Sequence, residues 1–201
     1  MKTLAWDVDD VLNSLMRVWF EDFLGKNIHR GIQIRYEQLS ENPPHELLGM
    51  TLNQYLVSLD EFRLSGCYER LEPTGEILNW FNMNGHSCRH LALTAVPLAA
   101  APISSAWVLK HFGKWIRTFH FVPSKRAEET IPAYDRSKAD FIGWHGKIDI
   151  LIDDSPEHIE QAAQIGIQSI LITQPWNAGK VDLSETLASL TRAIGTKKQG
   201  N

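Results

Sequence analysis

Apolar positions along this chain fall into five short runs, residues 3–6, 90–94, 118–122, 148–152 and 169–173. Most lack polar–apolar alternation, the pattern of parallel strands covered on both faces. Stretches of helical spacing separate the last four. Residues 73–81 lead to an Asn84-Gly85 stop, 103–112 stop at Gly113, and 156–165 stop at Gly166 with Ser155 or Asp154 as N-cap. Strands and helices alternating at this spacing predict an α/β protein with an open, doubly wound parallel sheet.

The gap between the first two strands breaks that rhythm. Residues 7–89 are far more than one crossover requires. Within them, 12–24 carry apolar positions at helical spacing, and 46–62 read as one or two further helices after the Pro43-Pro44 break. The predicted organisation is a core of residues 1–12 and 73–195, an inserted helical cap of residues 13–72, and a disordered tail of residues 196–201.

Two of the apolar runs end in carboxylates. Leu4-Ala5-Trp6 runs into Asp7, Asp9 and Asp10, and Ile148-Asp149-Ile150-Leu151-Ile152 runs into Asp153 and Asp154. Buried charge is costly unless paired or metal-bound, so strands ending this way emerge into a polar site. In open α/β sheets that site lies beyond the carboxyl ends of the strands. Thr94 ends the second strand and Thr173 the fifth. Converging oxygen ligands of this kind suit Mg²⁺, with positions left for water and a substrate phosphate. A threonine hydroxyl can hold a phosphoryl oxygen, and a lysine would be needed to offset the gathered negative charge.

Composition narrows the partners. The chain has 201 residues and a formal charge of −4, and the cap segment holds six Lys/Arg against nine Asp/Glu. That balance does not suit a nucleic-acid polymer. No apolar stretch approaches the ~20 residues that span a bilayer, and Asp7 arrives too early for the apolar region of a signal peptide. Cys67 and Cys88 are expected to be reduced thiols, which favours the cytoplasm.

Asp-x-Asp after a first strand, a helical insertion, a strand ending in Thr, a lysine and a later strand ending in Asp-Asp resembles the haloacid dehalogenase-like phosphatases over nearly the whole core. The insertion sits where that superfamily places a C1-type cap. The strings 7–12, 150–156 and Gln174-Pro175-Trp176-Asn177 are similar to the 5'(3')-deoxyribonucleotidase branch. The resemblance implies a Mg²⁺-dependent phosphomonoesterase acting on a small phosphate ester, most specifically a (deoxy)nucleoside monophosphate. It implies Asp7 as a nucleophile that forms an aspartyl-phosphate, and Asp9 as acid then base, with its backbone carbonyl on the metal. Thr94 and backbone amides after Asp7 would hold phosphoryl oxygens. Asp154 would be the second metal-binding carboxylate, with Asp153 orienting it or sharing the role. Lys138, opening a helix before the fourth strand, matches the family's lysine. Lys125, after the third strand, is its rival, and Lys147 lies at the wrong end of the sheet. Asp10 stands where the family often has glycine, and Ala95-Val96-Pro97 replaces a shorter Ser-Pro.

Plainer readings compete for each residue. Either acidic pair alone is more simply a helix cap, Thr94 alone a structural hydroxyl and Lys138 alone a surface charge. Their joint occurrence after apolar runs outweighs those readings. His86, Cys88 and His90 cross a loop-to-strand boundary, and no second Cys/His pair completes a zinc site. His158, four residues past Asp154, is placed either near the site or, by preference, on an exposed helical position. Residues 143–147 have the wrong spacing for a phosphate loop, and Trp19, Phe20, Tyr55 and Tyr68 read as packing within the cap. A receiver-like phosphate-binding signalling module is the alternative of a different class, although its lysine would follow the last strand. A dehalogenase of the same fold would not need Asp9 as proton donor.

Overall fold

The structure is a computed structural model and describes residues 1–27, 33–124, 126, 132, 134–177 and 179–195. Five strands form one parallel sheet: β1 (Thr3–Trp6), β2 (Arg89–Val96), β3 (Ile116–Pro123), β4 (Ile150–Asp153) and β5 (Gln168–Leu171), in the order β3-β2-β1-β4-β5. The chain travels from β1 outward to β3, then crosses back to β4 and β5 on the other side. The direction of winding therefore reverses between β1 and β4, which is where such sheets open a crevice.

Side chains alternate across the sheet and explain why both faces are apolar. Leu4, Trp6, Ala92, Ile150 and Ile152 share one buried cluster with residues of α4 (Gly75–Asn84), α5 (Ala101–Phe112) and α8 (Leu183–Gly195). Ala5, Leu91, Leu93 and Leu151 share the other with Phe141 and Ile142 of α6 (Lys138–His145) and Ala162 of α7 (Pro156–Gln164). Helices on both faces make this the doubly wound, Rossmann-like α/β fold that the spacing predicts.

Among the described residues, three α-helices lie between β1 and α4: α1 (Leu15–Lys26), α2 (Leu52–Leu64) and the short α3 (Gly66–Glu69). Trp19 packs edge-on to Tyr55 with ring centroids 5.2 Å apart, and its indole N–H donates to Ser58 Oγ at 3.2 Å, joining α1 to α2. Two helix starts differ from the sequence reading. The first helix begins at Leu15 rather than near Leu12, because Val8–Leu12 form a separate turn closed by Asn13 N donating to Val8 O. The second begins at Leu52, not Glu46. Gly49 at φ +64° interrupts the backbone, and a reciprocal cap follows, with Gln54 N donating to Thr51 Oγ1 and Thr51 N to Gln54 Oε1. The expected tail, residues 196–201, and the rival Lys125 lie outside the described residues.

Candidate active site

Asp7 is the residue after β1, and its N–H donates to Ile152 O at 2.9 Å, so the β1–β4 ladder delivers it beside Asp153. The chain then turns sharply. Asp10 adopts φ +63°, a left-handed conformation that aspartate tolerates and that glycine takes freely. Its carboxylate accepts from Met16 N at 2.8 Å, tying the turn to the start of α1, and its carbonyl accepts from Gln174 Nε2 at 2.6 Å. A position often filled by glycine in the resembling family thus keeps the glycine-type backbone here.

Asp7, Asp9, Asp10, Asp153 and Asp154 are all buried, and so is Lys138, at 1% exposure. Lys138 comes from the first turn of α6, capped by Ser137, whose Oγ accepts from Asp140 N. Its ammonium donates to Asp153 Oδ2 at 2.7 Å and makes an ion-pair contact with Asp7 Oδ1 at 2.8 Å. Asp153 is the most committed carboxylate. Besides Lys138, its Oδ1 accepts from Ser155 N at 3.0 Å and meets His158 Nδ1 at 3.1 Å. Asp154 accepts from Trp176 Nε1 through Oδ2 at 3.0 Å, and its carbonyl accepts from Asn177 Nδ2. Thr94 is buried two residues past Ala92, the β2 partner of Trp6, and so lies level with the turn that follows Asp7.

Burial sets the electrostatics. It pushes the Asp7 carboxyl up against the pull of Lys138, and it pushes Asp154 well above the usual carboxylate range, reinforced by Asp153, Asp7 and Asp10. Asp10 is likewise raised by burial, only partly offset by the Met16 N–H. Burial would raise Asp153 too, but Lys138 and His158 outweigh it and hold this carboxyl at about 2.

A divalent cation fits this arrangement on its own terms. Asp7, Asp153 and Asp154 each offer a carboxylate oxygen, and these lie within 4.8 Å of one another. Among the described residues, five buried carboxylates at these strand ends outnumber the two buried cations, Lys138 and Arg63. An all-oxygen donor set of clustered, buried carboxylates suits a hard ion such as Mg²⁺. Asp9 stands apart from this cluster. Its side chain turns toward the insertion, where Arg63, Tyr68 and Asn13 meet it.

Several residues at the site carried no functional expectation. Arg63 of α2 donates Nε and Nη2 to Asp9 Oδ2 at 3.3 and 3.0 Å, and Tyr68 of α3 donates to Asp9 Oδ1 at 2.8 Å. Asn13 Nδ2 completes the set at 3.2 Å. Tyr68 was read as cap packing and instead meets a site carboxylate; Trp19, Phe20 and Tyr55 are buried packing groups as read. His158, expected at an exposed position, sits beside Asp153 because the first turn of α7 folds back over the end of β4. Its proximity to the Asp153-Asp154 strand end, just inside a capped helix, was the available signal. Thr173 serves structure, donating to Val181 O at 2.6 Å. Both cysteines are free thiols.

No protein-family model matches the sequence, and no curated protein matches it. Solved structures do. A protein described as a phosphoglycolate phosphatase from Lactobacillus delbrueckii subsp. bulgaricus aligns at TM-score 0.62 and 15% identity, covering 96% of this chain and 98% of that one. A HAD-superfamily hydrolase, subfamily IA, from Geobacter sulfurreducens aligns at TM-score 0.57 and 10% identity, covering 97% of each. A 2-haloacid dehalogenase from Pseudomonas syringae pv. Tomato aligns at TM-score 0.51 and 14% identity, covering 96% and 99%. At such identities the likeness is one of fold. Because these neighbours differ in chemistry, the side chains must decide the reaction. The chain has the fold of the haloacid dehalogenase-like hydrolases.

Proposed function

We propose that this protein is a Mg²⁺-dependent phosphomonoesterase that works through an aspartyl-phosphate on Asp7. The observation that carries this reading is Asp7 itself: a buried carboxylate 2.8 Å from Lys138, with Asp154 in reach of the same small ion. Asp7 would attack phosphorus, forming the Asp7–phosphorus bond as the ester oxygen leaves. Asp9 would give that oxygen its proton, then take one from the water that displaces phosphate from Asp7. Lys138 and Thr94 would hold phosphoryl oxygens. Asp7, Asp154 and the Asp9 carbonyl would hold Mg²⁺, while Asp153, already bound by Lys138, Ser155 and His158, orients the lysine. Bound Mg²⁺ would supply neutralisation of the phosphate charge, letting an anionic nucleophile approach.

Residues 13–72 are proposed to cap the site and admit small esters only, in keeping with side chains that are nearly all enclosed. A (deoxy)nucleoside monophosphate is the most specific substrate proposed, and the cytoplasm the proposed location. Among the described residues no helix is long and apolar enough to cross a membrane.

Phosphate release from a panel of monoesters, with and without Mg²⁺, tests the reading. Sustained, Mg²⁺-dependent turnover is expected, with Asp7→Asn about 10⁴-fold slower or worse while the protein stays folded. A single stoichiometric acyl-phosphate without turnover would point instead to the signalling module, and an undiminished Asp7→Asn rate would remove Asp7 as nucleophile.

A further inference from the structure

A line of paired charges runs outward from Asp9 through residues that the reaction outlined above does not use. Asp9 Oδ2 accepts both Nε and Nη2 of Arg63, and Arg63 Nη1 in turn donates to Asp60 Oδ1 at 3.4 Å, one turn back on α2. Asp60 then meets Arg126, which donates Nε to Oδ2 at 2.6 Å and Nη2 to Oδ1 at 2.8 Å. Arg126 is itself anchored through Nη1 to Ser124 O and Oγ, just beyond β3. Charges alternate along this line, carboxylate, guanidinium, carboxylate, guanidinium. It starts in the turn after β1, crosses the insertion on α2 and returns to the core past β3.

Such a line is costly to bury unless every member is paired, and here every member is. Arg63 is 8% exposed and spans 54 sequence positions to reach Asp9. A planar fork on one carboxylate oxygen fixes direction better than a point charge would. Tyr68 and Asn13 hold the other oxygen, so Asp9 has donors on both sides. A surface helix does not need this much polar machinery to stay folded; α2 already buries Tyr55, Leu59 and Phe62.

We propose that Arg63 is a positioning residue for Asp9, itself set in place by Asp60 and Arg126. The insertion thereby supplies the orientation of the group that moves protons in the core. This rests on the phosphomonoesterase reading and adds to it the residues that aim Asp9. Arg63 acts through Asp9 and touches no reacting atom.

The test compares two substrates of the full-length enzyme, an alkyl phosphate whose leaving oxygen needs a proton and an aryl phosphate whose phenolate leaves without one. Arg63→Met is expected to lower kcat about 10²-fold on the alkyl ester, with KM changed by less than about threefold. On the aryl ester the loss is expected to be about tenfold or smaller. Arg63→Lys, which keeps the charge but not the fork, recovers part of the alkyl rate. Asp60→Asn costs several-fold alone and nothing further in the Arg63→Met background, since its effect passes through Arg63. Thermal melts confirm that each variant is folded. Equal losses on both esters, an unaffected folded Arg63→Met, or full additivity of Asp60→Asn with Arg63→Met would each overturn the proposal. Wild-type protein that hydrolyses neither ester would instead overturn the phosphomonoesterase reading, and this proposal with it.

Discussion

The two ends of the parallel sheet carry opposite charge, and they differ in burial as well. At the carboxyl ends of β1 and β4 the five aspartates are enclosed, each under 10% exposed. At the amino ends, Arg89, Lys147, Lys114 and Arg117 line open concavities and stand in solvent. The basic end has a structural explanation. Helices of this fold run against the strands, so α4, α5, α6 and α8 end there, and cations favour the negative ends of helices. Lys2 does so directly, donating to Ala193 O near the end of α8 at 2.6 Å. The acidic end has only part of such an account: Asp10 accepts from Met16 N and Asp153 from Ser155 N, both at helix starts. Buried carboxylates repel one another and resist ionisation, and the Met16 N–H, Arg63 and Lys138 offset this only in part. Exposed charge at helix ends is complete without a ligand, whereas buried charge in excess of its partners is arranged for one.

Breaking the comparison at its strongest point gives the largest effect. Lys138→Met leaves Asp7 and Asp153 buried without their cation, and a loss of about 3–5 kcal/mol of folding stability is expected. Lys147→Gln, at the open end, should stay within about 0.5 kcal/mol of wild type. Urea unfolding of both variants measures the contrast, and comparable losses would erase it.

Next comes metal affinity. Asp154→Asn removes one of the three clustered carboxylates and should abolish Mg²⁺ binding measurable by calorimetry. Trp176→Phe, which removes only the donor to Asp154, should weaken it about tenfold. Full Mg²⁺ affinity in Asp154→Asn would take Asp154 out of the site.

A smaller effect tests the far side of β1. His90 is buried, with Nδ1 accepting from Trp6 Nε1 at 3.1 Å and Nε2 facing Gly85 O at 2.9 Å, the pattern of a neutral ring protonated on Nε2. Burial lowers its pKa below the ordinary 6.5, partly countered by Gly85 O. A base depressed in the folded state takes up a proton more readily once unfolded. Its contribution to stability is therefore present above 6.5 and lost as pH falls toward the folded value. Between about pH 7.5 and about pH 5.5, wild type should lose more stability than His90→Gln, which can keep both contacts without titrating. Equal losses would show that His90 does not titrate with folding.

What the sequence discloses follows the range of the interactions. Parallel strands buried on both faces show as uninterrupted apolar runs, so the sheet was legible. Asp7, Asp9, Asp10, Asp153 and Asp154 showed because each interrupts such a run. Lys138 was singled out through the order of parts in the resembling family, since a lysine opening a helix reads by itself as a surface charge. Arg63, Asp60 and Tyr68 did not show. They sit on amphipathic helices, where a lone charge or ring reads as a solvated face or as packing, and Arg63 and Tyr68 meet Asp9 54 and 59 positions away. His158 was misread for a related reason. Helical spacing locates a residue on its own helix but not against the strand end over which that helix starts. The start of α2 was missed because Gly49 and the Thr51–Gln54 cap outrank apolar spacing in fixing where a helix begins.

The central claim is that Asp7 becomes covalently phosphorylated, and chemical trapping tests it most directly. Protein quenched during turnover of a phosphate ester with Mg²⁺, then reduced with borohydride, should yield a peptide in which position 7 alone has become homoserine. Sustained turnover with position 7 unlabelled, or with the label at Asp9 instead, would contradict the account.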